Sequence, residues 1–416
     1  MTATPTVQSL QTPPDLTSKT FANNKHEYFK WMRTEAPVAH CQYFTGKAYV
    51  VSRYEDCVAL LKDPRVVRDN RKIDVDSPFL PSFIPLPKST DLLLHSMIGS
   101  DEPDHKRLRS LVHQAFTRKS MAELSQRINQ LTNNLLDEAE AKSKANGSVD
   151  LKKAYALPIP MTVIQEMVGV PDEDMSRFYE GIEAIIKGFS GVRMLLTMLW
   201  DMPRLSEFLR ELIKRKRENP GNDMLTGLIQ AEEEGQKLTE DEIVSMVFLL
   251  IAAGYQTTVH LVTNGVLTLL RHPEQLAKLR ANPDLIDSAV EEILRYESPV
   301  YITETAYASE DITLHGVDIP RGSVMTACVG AANHDPNVFE NPAVFDIERS
   351  PNKHLGFGSG IHSCLGAPLA RMEAKIALTN LLRRNPNLHL AVDPSEIEVE
   401  TTPGIHSYKR LPVVLG

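Results

Sequence analysis

The feature that most constrains this chain is a long helical stretch whose centre is apolar on nearly every side. Thr239-Glu-Asp-Glu242 has the spacing of a capping box and predicts where the helix begins. His272-Pro273 predicts that the helix stops near Leu270. The central run MVFLLIAAG carries no charge, so this helix has no polar face to turn towards water. We therefore expect it to be buried on most of its faces.

Helical spacing of apolar residues recurs over much of the remaining chain. The predicted helices cover 104–116, 120–144, 160–168, 172–187, 203–218, 273–281, 285–296 and 366–384. Strand-type segments are fewer and comprise 48–53, short pieces within 299–330, and the tail after 384. The pattern predicts a mainly α fold with a minor β region, in which 21–416 form a single domain and 1–20 a flexible N-terminal arm. A long irregular loop is expected over 70–100.

Composition and charge exclude several classes of protein. Of the 416 residues, 42% are hydrophobic and 24% are charged, which is typical of a globular protein and not of a disordered one. The net charge of −9 argues against a nucleic-acid-binding protein. The four cysteines form no CxxC pair, so they indicate neither a disulfide framework nor a zinc site. Because no signal-peptide pattern and no apolar run of membrane-spanning length is present, we expect a cytoplasmic protein without a membrane partner.

The segment FGSGIHSCLGAPLAR, residues 357–371, carries the strongest chemical signal. It places Cys364 in a glycine-rich loop directly before a helix, where the helix N-terminus and backbone N–H groups favour the thiolate. Its glycines permit backbone conformations closed to other residues and let the loop lie flat against a large ligand. A lone cysteine before a helix is more often structural. The glycines, the histidine upstream and the arginine downstream favour a ligand-binding loop instead.

This segment resembles the haem-binding loop of the cytochrome P450 family, whose pattern FGxGxHxCxG it matches at every fixed position. The resemblance implies a P450 fold that encloses haem b, with Cys364 as the thiolate ligand of the iron. Such a ligand donates electron density that favours O–O cleavage. His362 is implied to reach a haem propionate, and Phe357, Gly358 and Gly366 are implied to form the cofactor-binding loop.

Glu292 and Arg295 form a second motif that resembles one of the same family. At i and i+3 on a helix they match its ExxR motif, in which the pair is buried and contacts a further arginine that Arg349 matches. Glu–Arg pairs at this spacing are otherwise common on protein surfaces. The implied role of the trio is structural support of the haem loop.

His105 and Arg109 match the family's HxxxR motif, which holds the haem propionates. At i and i+4 on a helix, both side chains can point at one anion. Carboxylates in a mostly apolar pocket need paired cations or donors. The alternative for these residues alone is a solvated basic helix face.

The centre of the long helix resembles the distal oxygen-binding segment of the family. Ala253-Gly254-Tyr255-Gln256-Thr257-Thr258 corresponds to the pattern [AG]Gx[DE]T[TS]. Gly254 and the Thr257 hydroxyl are expected to disturb the helical hydrogen-bond ladder and open a groove, in which Thr257 would hydrogen-bond O₂. Gln256 replaces the acid of the pattern. Proton delivery is therefore left open, because an amide does not titrate.

A second departure from the family concerns Ala306, a position that usually carries an arginine that reaches a propionate. No lysine or arginine occurs between Tyr296 and Pro320. Propionate binding is therefore expected to depend on His105, Arg109 and His362, together with groups that the sequence does not identify.

A large apolar substrate pocket is implied by the same resemblance. Its expected lining is Leu93, Met97, Ile98, Leu195, Leu249, Ala253 and Ile302, each of which alone is more typical of a core. The Met- and Leu-rich segment 188–203 is expected to adapt to the ligand, because methionine packs flexibly.

The resemblance implies a soluble, monomeric bacterial monooxygenase, similar to the polyketide- and macrolide-tailoring branch, that hydroxylates or epoxidises an apolar small molecule with O₂. Electrons from NAD(P)H are expected to arrive through a ferredoxin reductase and a ferredoxin. A basic cluster at 105–109 with Arg118 and Lys119 is the expected docking face, with a solvated helix surface as the alternative. Two other functions stay open. They are a peroxide-using, coupling or desaturating P450, for which Gln256 is the support, and a non-catalytic haem-binding protein.

Overall fold

In a computed structural model, the described residues are 13–44, 46–73, 87–89, 92, 96–115, 118–187, 196–233 and 235–416. Helices dominate them, which confirms the predicted mainly α fold. The α-helices are α1 Lys19–Asn23, α2 Lys25–Glu35, α3 Tyr54–Leu60, α4 Asp104–Ala115, α5 Arg118–Asn146, α6 Pro158–Val168, α7 Met175–Lys187, α8 Met202–Glu218, α9 Met224–Gln230, α10 Glu240–Arg271, α11 Pro273–Ala281, α12 Ile286–Tyr296, α13 Val329–Ala332 and α14 Ala367–Arg384.

The β region consists of short strands. They are β1 Val38–Tyr43, β2 Gly46–Val51, β3 Val66–Val67, β4 Val149–Asp150, β5 Glu232–Glu233, β6 Gln236–Lys237, β7 Ala306–Ala308, β8 Ile312–Leu314, β9 Val317–Ile319, β10 Val324–Ala327, β11 His389–Leu390 and β12 Pro412–Val414. Single turns of 3₁₀- or π-helix precede several of the longer helices, for example Met97–Gly99 and Thr197–Asp201.

The described residues fall into two compact units. The first comprises Met1–Leu80, Ile128–Pro158 and Thr257–Gly416, and the second comprises Pro81–Arg127 and Ile159–Gln256. The boundary therefore lies within α10, the longest helix.

The first unit contains a five-stranded sheet with the order β1-β2-β10-β7-β3. Strands β2 and β10 are parallel, and the other neighbours are antiparallel. One face of this sheet packs into an apolar cluster that includes Ala308, Met325 and Leu355. Leu355 lies just before the cysteine loop, so this cluster fixes where that loop begins.

The predicted N-terminal arm, 1–20, includes residues that are buried in the first unit. Leu16 is buried, and its N–H donates to the Gln42 carbonyl at 3.1 Å beside β1. Phe21 is also buried and belongs to a core cluster with Phe29 and Tyr301. Apolar burial therefore holds the chain from about Leu16 onwards, whereas residues 1–12 lie outside the described part.

The long apolar helix α10 begins at the predicted capping box. The Thr239 N–H donates to Glu242 Oε2 at 2.7 Å, and the Glu242 N–H donates to Thr239 Oγ1 at 3.2 Å. By length and composition this one described helix could cross a bilayer, but 61% of its most apolar window is buried inside the protein. Residues 243–249 and 258–269 are buried throughout, as predicted for an interior helix.

Candidate active site

The Cys364 loop connects an irregular segment to α14 in the first unit. Backbone hydrogen bonds fix it. The Gly358 N–H donates to the Leu355 carbonyl at 2.8 Å, the Ser363 N–H to the Gly360 carbonyl at 3.2 Å and the Cys364 N–H to the Phe357 carbonyl at 2.9 Å. Cys364 is exposed, whereas the other three cysteines are buried. Of the four thiols, this one alone is accessible to an external ligand.

The glycines of the loop are required by its geometry. Gly360 has a φ of 73°, and a Cβ there would lie 2.3 Å from the carbonyl oxygen of Leu61. Only glycine fits this approach. At Gly366 the nearest atom to an added Cβ is Cys364 Sγ at 4.0 Å, so a larger residue would begin to cover the thiol. The loop thus packs tightly on one side and leaves the thiol open on the other.

Arg371 carries positive charge close to the loop. Its guanidinium lies over the Phe357 ring, 4.5 Å from the centroid, and donates to both oxygens of Glu291 at 2.6 and 2.8 Å. The Glu291 hydrogen bond, and to a smaller extent the charge of Cys364, raise the pKa of Arg371. Arg371 therefore places a positive charge near the Cys364 sulfur.

Glu291 is itself held by two donors. Burial opposes its ionisation, but hydrogen bonds from Arg371 and His354 outweigh burial and lower the pKa of Glu291 to about 2. His354 lies two residues before Gly356, at the entrance of the loop, and its Nε2 is 3.0 Å from Glu291 Oε2. The Glu291 carboxylate therefore connects α12 to both ends of the cysteine loop.

The structure places the predicted trio of Glu292, Arg295 and Arg349 together. Glu292 and Arg295 are fully buried, with Nη2 of the arginine 2.7 Å from Oε1 of the glutamate. Arg349 Nε lies 3.2 Å from both Glu292 oxygens. Arg295 also donates to the carbonyls of Asn333 and Val344 at 3.0 and 3.1 Å. These bonds tie α12 to the segment that leads into the cysteine loop.

The middle of α10 differs from the rest of the helix in its exposure. Ala253 is exposed, and Leu250, Gly254, Gln256 and Thr257 are half-buried, although the flanking turns are fully buried. The helix is continuous from Glu240 to Arg271, so the local disturbance expected at Gly254 does not interrupt it. An apolar residue exposed in the middle of an interior helix is typical of a surface that borders a ligand space.

Glu373 is a residue that the sequence analysis missed. It lies on α14, nine residues after Cys364, is 2% exposed, and its Oε1 has no hydrogen-bond partner in the described part of the chain. Burial raises the pKa of Glu373 to about 8, although the nearby Thr258 hydroxyl opposes this. The sequence offered one indication of this burial. Glu373 is spaced four and eight residues before Ala377 and Leu381, which lie on the buried face of α14.

The second unit holds the other predicted haem-contacting residues. His105 on α4 is buried and Arg109 is half-buried. Arg107, expected to belong to an open basic cluster, is instead paired with Glu242, the glutamate of the capping box. Lys106 is exposed, and the side chains of Arg118 and Lys119 lie outside the described part.

The candidate substrate contacts are dispersed. Met97 and Leu249 are buried, and Ile98 is half-buried. Ile302 lies in the core cluster with Phe21 and Tyr301 in the first unit. Leu93 and Leu195 fall outside the described residues.

The residues of the first unit fit a haem-iron ligand site. A cysteine that ligates haem iron must be accessible, and Cys364 is the exposed cysteine. Its loop must also keep large side chains away from the sulfur, which Gly366 does, and needs nearby positive charge, which Arg371 supplies. His362 is half-buried two residues upstream.

Comparison with known proteins identifies the family of this chain. The cytochrome P450 family model matches residues 16–385. The polyketide biosynthesis cytochrome P450 PksS of Bacillus subtilis (strain 168) is 40% identical over 402 residues, which are 96% of this chain and 97% of the relative. The solved structure of PksS superposes with a TM-score of 0.89 and 39% identity, covering 97% of this chain and 100% of that one.

Two more relatives extend the comparison. The 6-deoxyerythronolide B hydroxylase of Saccharopolyspora erythraea is 33% identical and covers 98% of this chain and 100% of its own. A solved P450BioI in complex with hexadec-9Z-enoic acid ligated acyl carrier protein is 37% identical, with a TM-score of 0.84 and coverage of 96% and 99%. The chain therefore belongs to the cytochrome P450 family of haem-b-binding monooxygenases and is similar to its bacterial polyketide-tailoring members.

Proposed function

We propose that this protein hydroxylates or epoxidises a large apolar small molecule, a polyketide or another secondary metabolite, with O₂, as a monomer in the cytoplasm. The observation that carries the proposal is the Cys364 loop, which presents the one accessible thiol of the chain between glycines and beside Arg371. When bound, haem b supplies the oxygen-activating chemistry. The chain's own residues hold it, orient the substrate and deliver protons.

The cofactor-binding residues are proposed from the motifs that each of them matches. Cys364 would ligate the iron, and His362, His105 and Arg109 would bind the propionates. The buried Glu292–Arg295 pair with Arg349 would support the segment before the loop rather than take part in chemistry. Phe357, Gly358 and Gly366 would shape the loop around the ligand.

Proton delivery would not depend on the residue at the usual acidic position, because Gln256 does not titrate. Thr257 offers a half-buried hydroxyl on the partly exposed stretch of α10. Its neighbour Thr258 lies beside Glu373, whose pKa of about 8 keeps that carboxyl protonated at neutral pH. Glu373 would therefore hold the proton that Gln256 cannot, and ordered water would relay it towards Thr257.

The substrate would contact the partly exposed stretch of α10 at Ala253, with Leu249, Met97 and Ile98 as further contacts. PksS acts in polyketide biosynthesis, and the P450BioI structure holds an acyl chain attached to a carrier protein. A tethered acyl or polyketide chain is therefore the second form of substrate to test. Titration of the ferric enzyme with free and carrier-bound chains, followed by the haem spin shift, separates the two forms.

Turnover with different oxidants tests the proposed reaction. With NADPH, a ferredoxin reductase, a ferredoxin and O₂, we expect a product that contains one added oxygen atom. Peroxide alone is expected to give less product. Efficient turnover only with peroxide would favour the peroxide-using alternative and would contradict the role given to Glu373, because peroxide brings its own protons.

A further inference from the structure

The supply of protons to the proposed reaction needs a connection to solvent that Glu373 alone does not provide. Each turnover takes up O₂, two electrons from NAD(P)H and two protons; one oxygen atom enters the product and the other leaves as water. Glu373 holds a single proton and is 2% exposed, so that proton must be replaced after use. The proposed function therefore requires a polar path from the surface to the threonines of α10.

Helix α10 carries a polar stripe along its second half, although it is an interior helix. The members of the stripe follow one another at intervals of three or four residues, which places them on one face. They are Thr257, His260, Asn264, Thr268 and Arg271, all within the first unit. His260 is 4% exposed and Asn264 is 1% exposed, whereas Arg271 at the helix end is open to solvent. The stripe thus runs from Thr257 to the surface.

Two atoms of this stripe are buried without a hydrogen bond. His260 Nδ1 and Asn264 Oδ1 have no partner among the residues that the structure describes. They belong to residues one helical turn apart on the same face of α10. Buried polar atoms of this kind are commonly bonded to ordered water. The stripe therefore offers a site for water one turn beyond Thr257.

A network of buried polar groups continues from the stripe to the surface. Asn264 Nδ2 donates to the backbone carbonyl of His406 at 3.0 Å, and His406 Nε2 lies 3.0 Å from the Tyr408 hydroxyl. The Tyr408 carbonyl accepts a hydrogen bond of 2.6 Å from Lys152 Nζ. Lys152 also lies 3.0 Å from Glu400, whose side chain is 33% exposed. The network therefore reaches solvent at the Lys152–Glu400 pair.

His260 is in the protonation state that a relay needs. Burial, with smaller effects from the charges of Lys152 and His406, lowers the pKa of His260 to about 3. The ring is therefore neutral at pH 7, and it can accept a proton at one nitrogen while it releases one from the other. Lys152 also begins a turn of π-helix, Lys152–Ala156, a conformation that is frequent at functional sites.

Given the proposed function, we infer that protons enter at Lys152 and Glu400 and pass along the polar stripe, through His260 and ordered water, to Thr257. Only N–H and O–H bonds form and break on this route. Each proton that one ring nitrogen of His260 accepts is matched by one that the other nitrogen releases. The route thereby refills Glu373 and takes over from the acid that the family pattern carries before the threonine.

Exchange of the His260 ring proton with solvent tests the route without turnover. NMR of isotope-labelled histidine in the ferrous–CO holoenzyme follows the exchange into D₂O, and loss of the signal in His260→Phe assigns it. We expect exchange within seconds although the side chain is 4% exposed, and we expect Lys152→Met to slow it about tenfold or more. Lys153→Met is the matched control, because Lys153 is an exposed lysine next in the chain. A wild-type ring proton that persists for minutes would overturn the route.

Turnover with a ferredoxin reductase, a ferredoxin and O₂ provides the second test. His260→Phe keeps a ring of similar size, and it should form product about tenfold more slowly than the wild type. Its solvent deuterium isotope effect should increase, because proton delivery then limits the rate. Thr263→Val is the control, since the Thr263 hydroxyl bonds to the Val259 carbonyl of its own helix at 2.9 Å.

The outcomes separate the route from the proposed function. A wild type that forms product, together with a His260→Phe variant that matches it in rate and isotope effect, would refute the route alone. An equal loss of rate in Thr263→Val would also count against the route, because that residue lies off the stripe. A wild type that forms no oxygenated product would instead contradict the proposed function.

Discussion

At the scale of single residues, burial separates groups that react from groups that only pack. Burial raises the pKa of Cys41 and of Cys328 to about 12, so both remain thiols inside the core. Cys364 is exposed beside Arg371 and is the proposed iron ligand. The sequence identified Cys364 because a long, specific pattern surrounds it. Glu373 was missed because its helical spacing with Ala377 and Leu381 does not by itself show whether a single glutamate is buried.

Glu373→Gln should change how stability depends on pH. The folded chain holds the proton of Glu373 up to a pKa of about 8, whereas an unfolded glutamate loses it near 4.3. Between these values the folded state binds more protons, so wild-type stability falls as pH rises, by up to about 1.4 kcal/mol per pH unit. The glutamine variant has no carboxyl to titrate at this position, so its stability should not fall in this way. The Tm of the variant minus that of the wild type should therefore increase between about pH 5 and 8.

Glu398→Gln provides the control for this measurement. The hydrogen bond from Lys409 lowers the pKa of Glu398, so the stability that this carboxylate contributes is lost only as pH falls below the unfolded value. Its Tm difference from the wild type should therefore stay constant between about pH 5 and 8. A constant difference for Glu373→Gln as well would show that Glu373 does not titrate there.

Glu292→Gln should be severely destabilising. It leaves the fully buried Arg295 without its carboxylate partner, and removing one member of a buried pair costs about 3–5 kcal/mol. Urea unfolding followed by circular dichroism measures the cost. The exposed pair of Glu348 with Lys278 supplies a control, since Glu348→Gln should unfold at the wild-type urea concentration. An equal response of the two variants would contradict a supporting role for the buried pair.

At the scale of elements, helices were predictable and sheet pairing was not. Helix α11 begins at Pro273 and ends at Ala281 as predicted, because proline and local apolar spacing mark both ends. The short strands within 299–330 were expected, but the parallel pairing of β10 with β2 joins residues about 275 positions apart. No local pattern encodes such a partner.

Two neighbouring charges on α4 should behave differently when reversed. Lys106 is exposed, so Lys106→Glu should slow reduction by an acidic ferredoxin and weaken the salt dependence of that rate without changing Tm. Arg107 pairs with Glu242 at the start of α10, so Arg107→Glu should lower the Tm. Stopped-flow reduction at several salt concentrations provides the measurement. An unchanged rate and salt slope for Lys106→Glu would exclude this face as the docking surface.

At the scale of the whole molecule, buried polar contacts connect distant parts of the chain. Lys25 Nζ lies 2.7 Å from Glu297 Oε2 and 3.1 Å from His406 Nε2, which joins α2, the end of α12 and the C-terminal tail within the first unit. Burial, with the charge of Lys25, lowers the pKa of His406 to about 4, so this histidine is neutral in the folded protein at pH 7. The net charge of −9 did not reveal this network, since it reports composition and not position.

The account rests on Cys364 as the thiolate ligand of haem iron, and the ferrous–CO difference spectrum tests this directly. The wild type should show the red-shifted Soret band that thiolate ligation produces, and Cys41→Ala should show it too, because Cys41 is buried away from the loop. Cys364→Ala should abolish the band. Persistence of the red-shifted band in Cys364→Ala, or its absence from the wild type, would contradict the central claim.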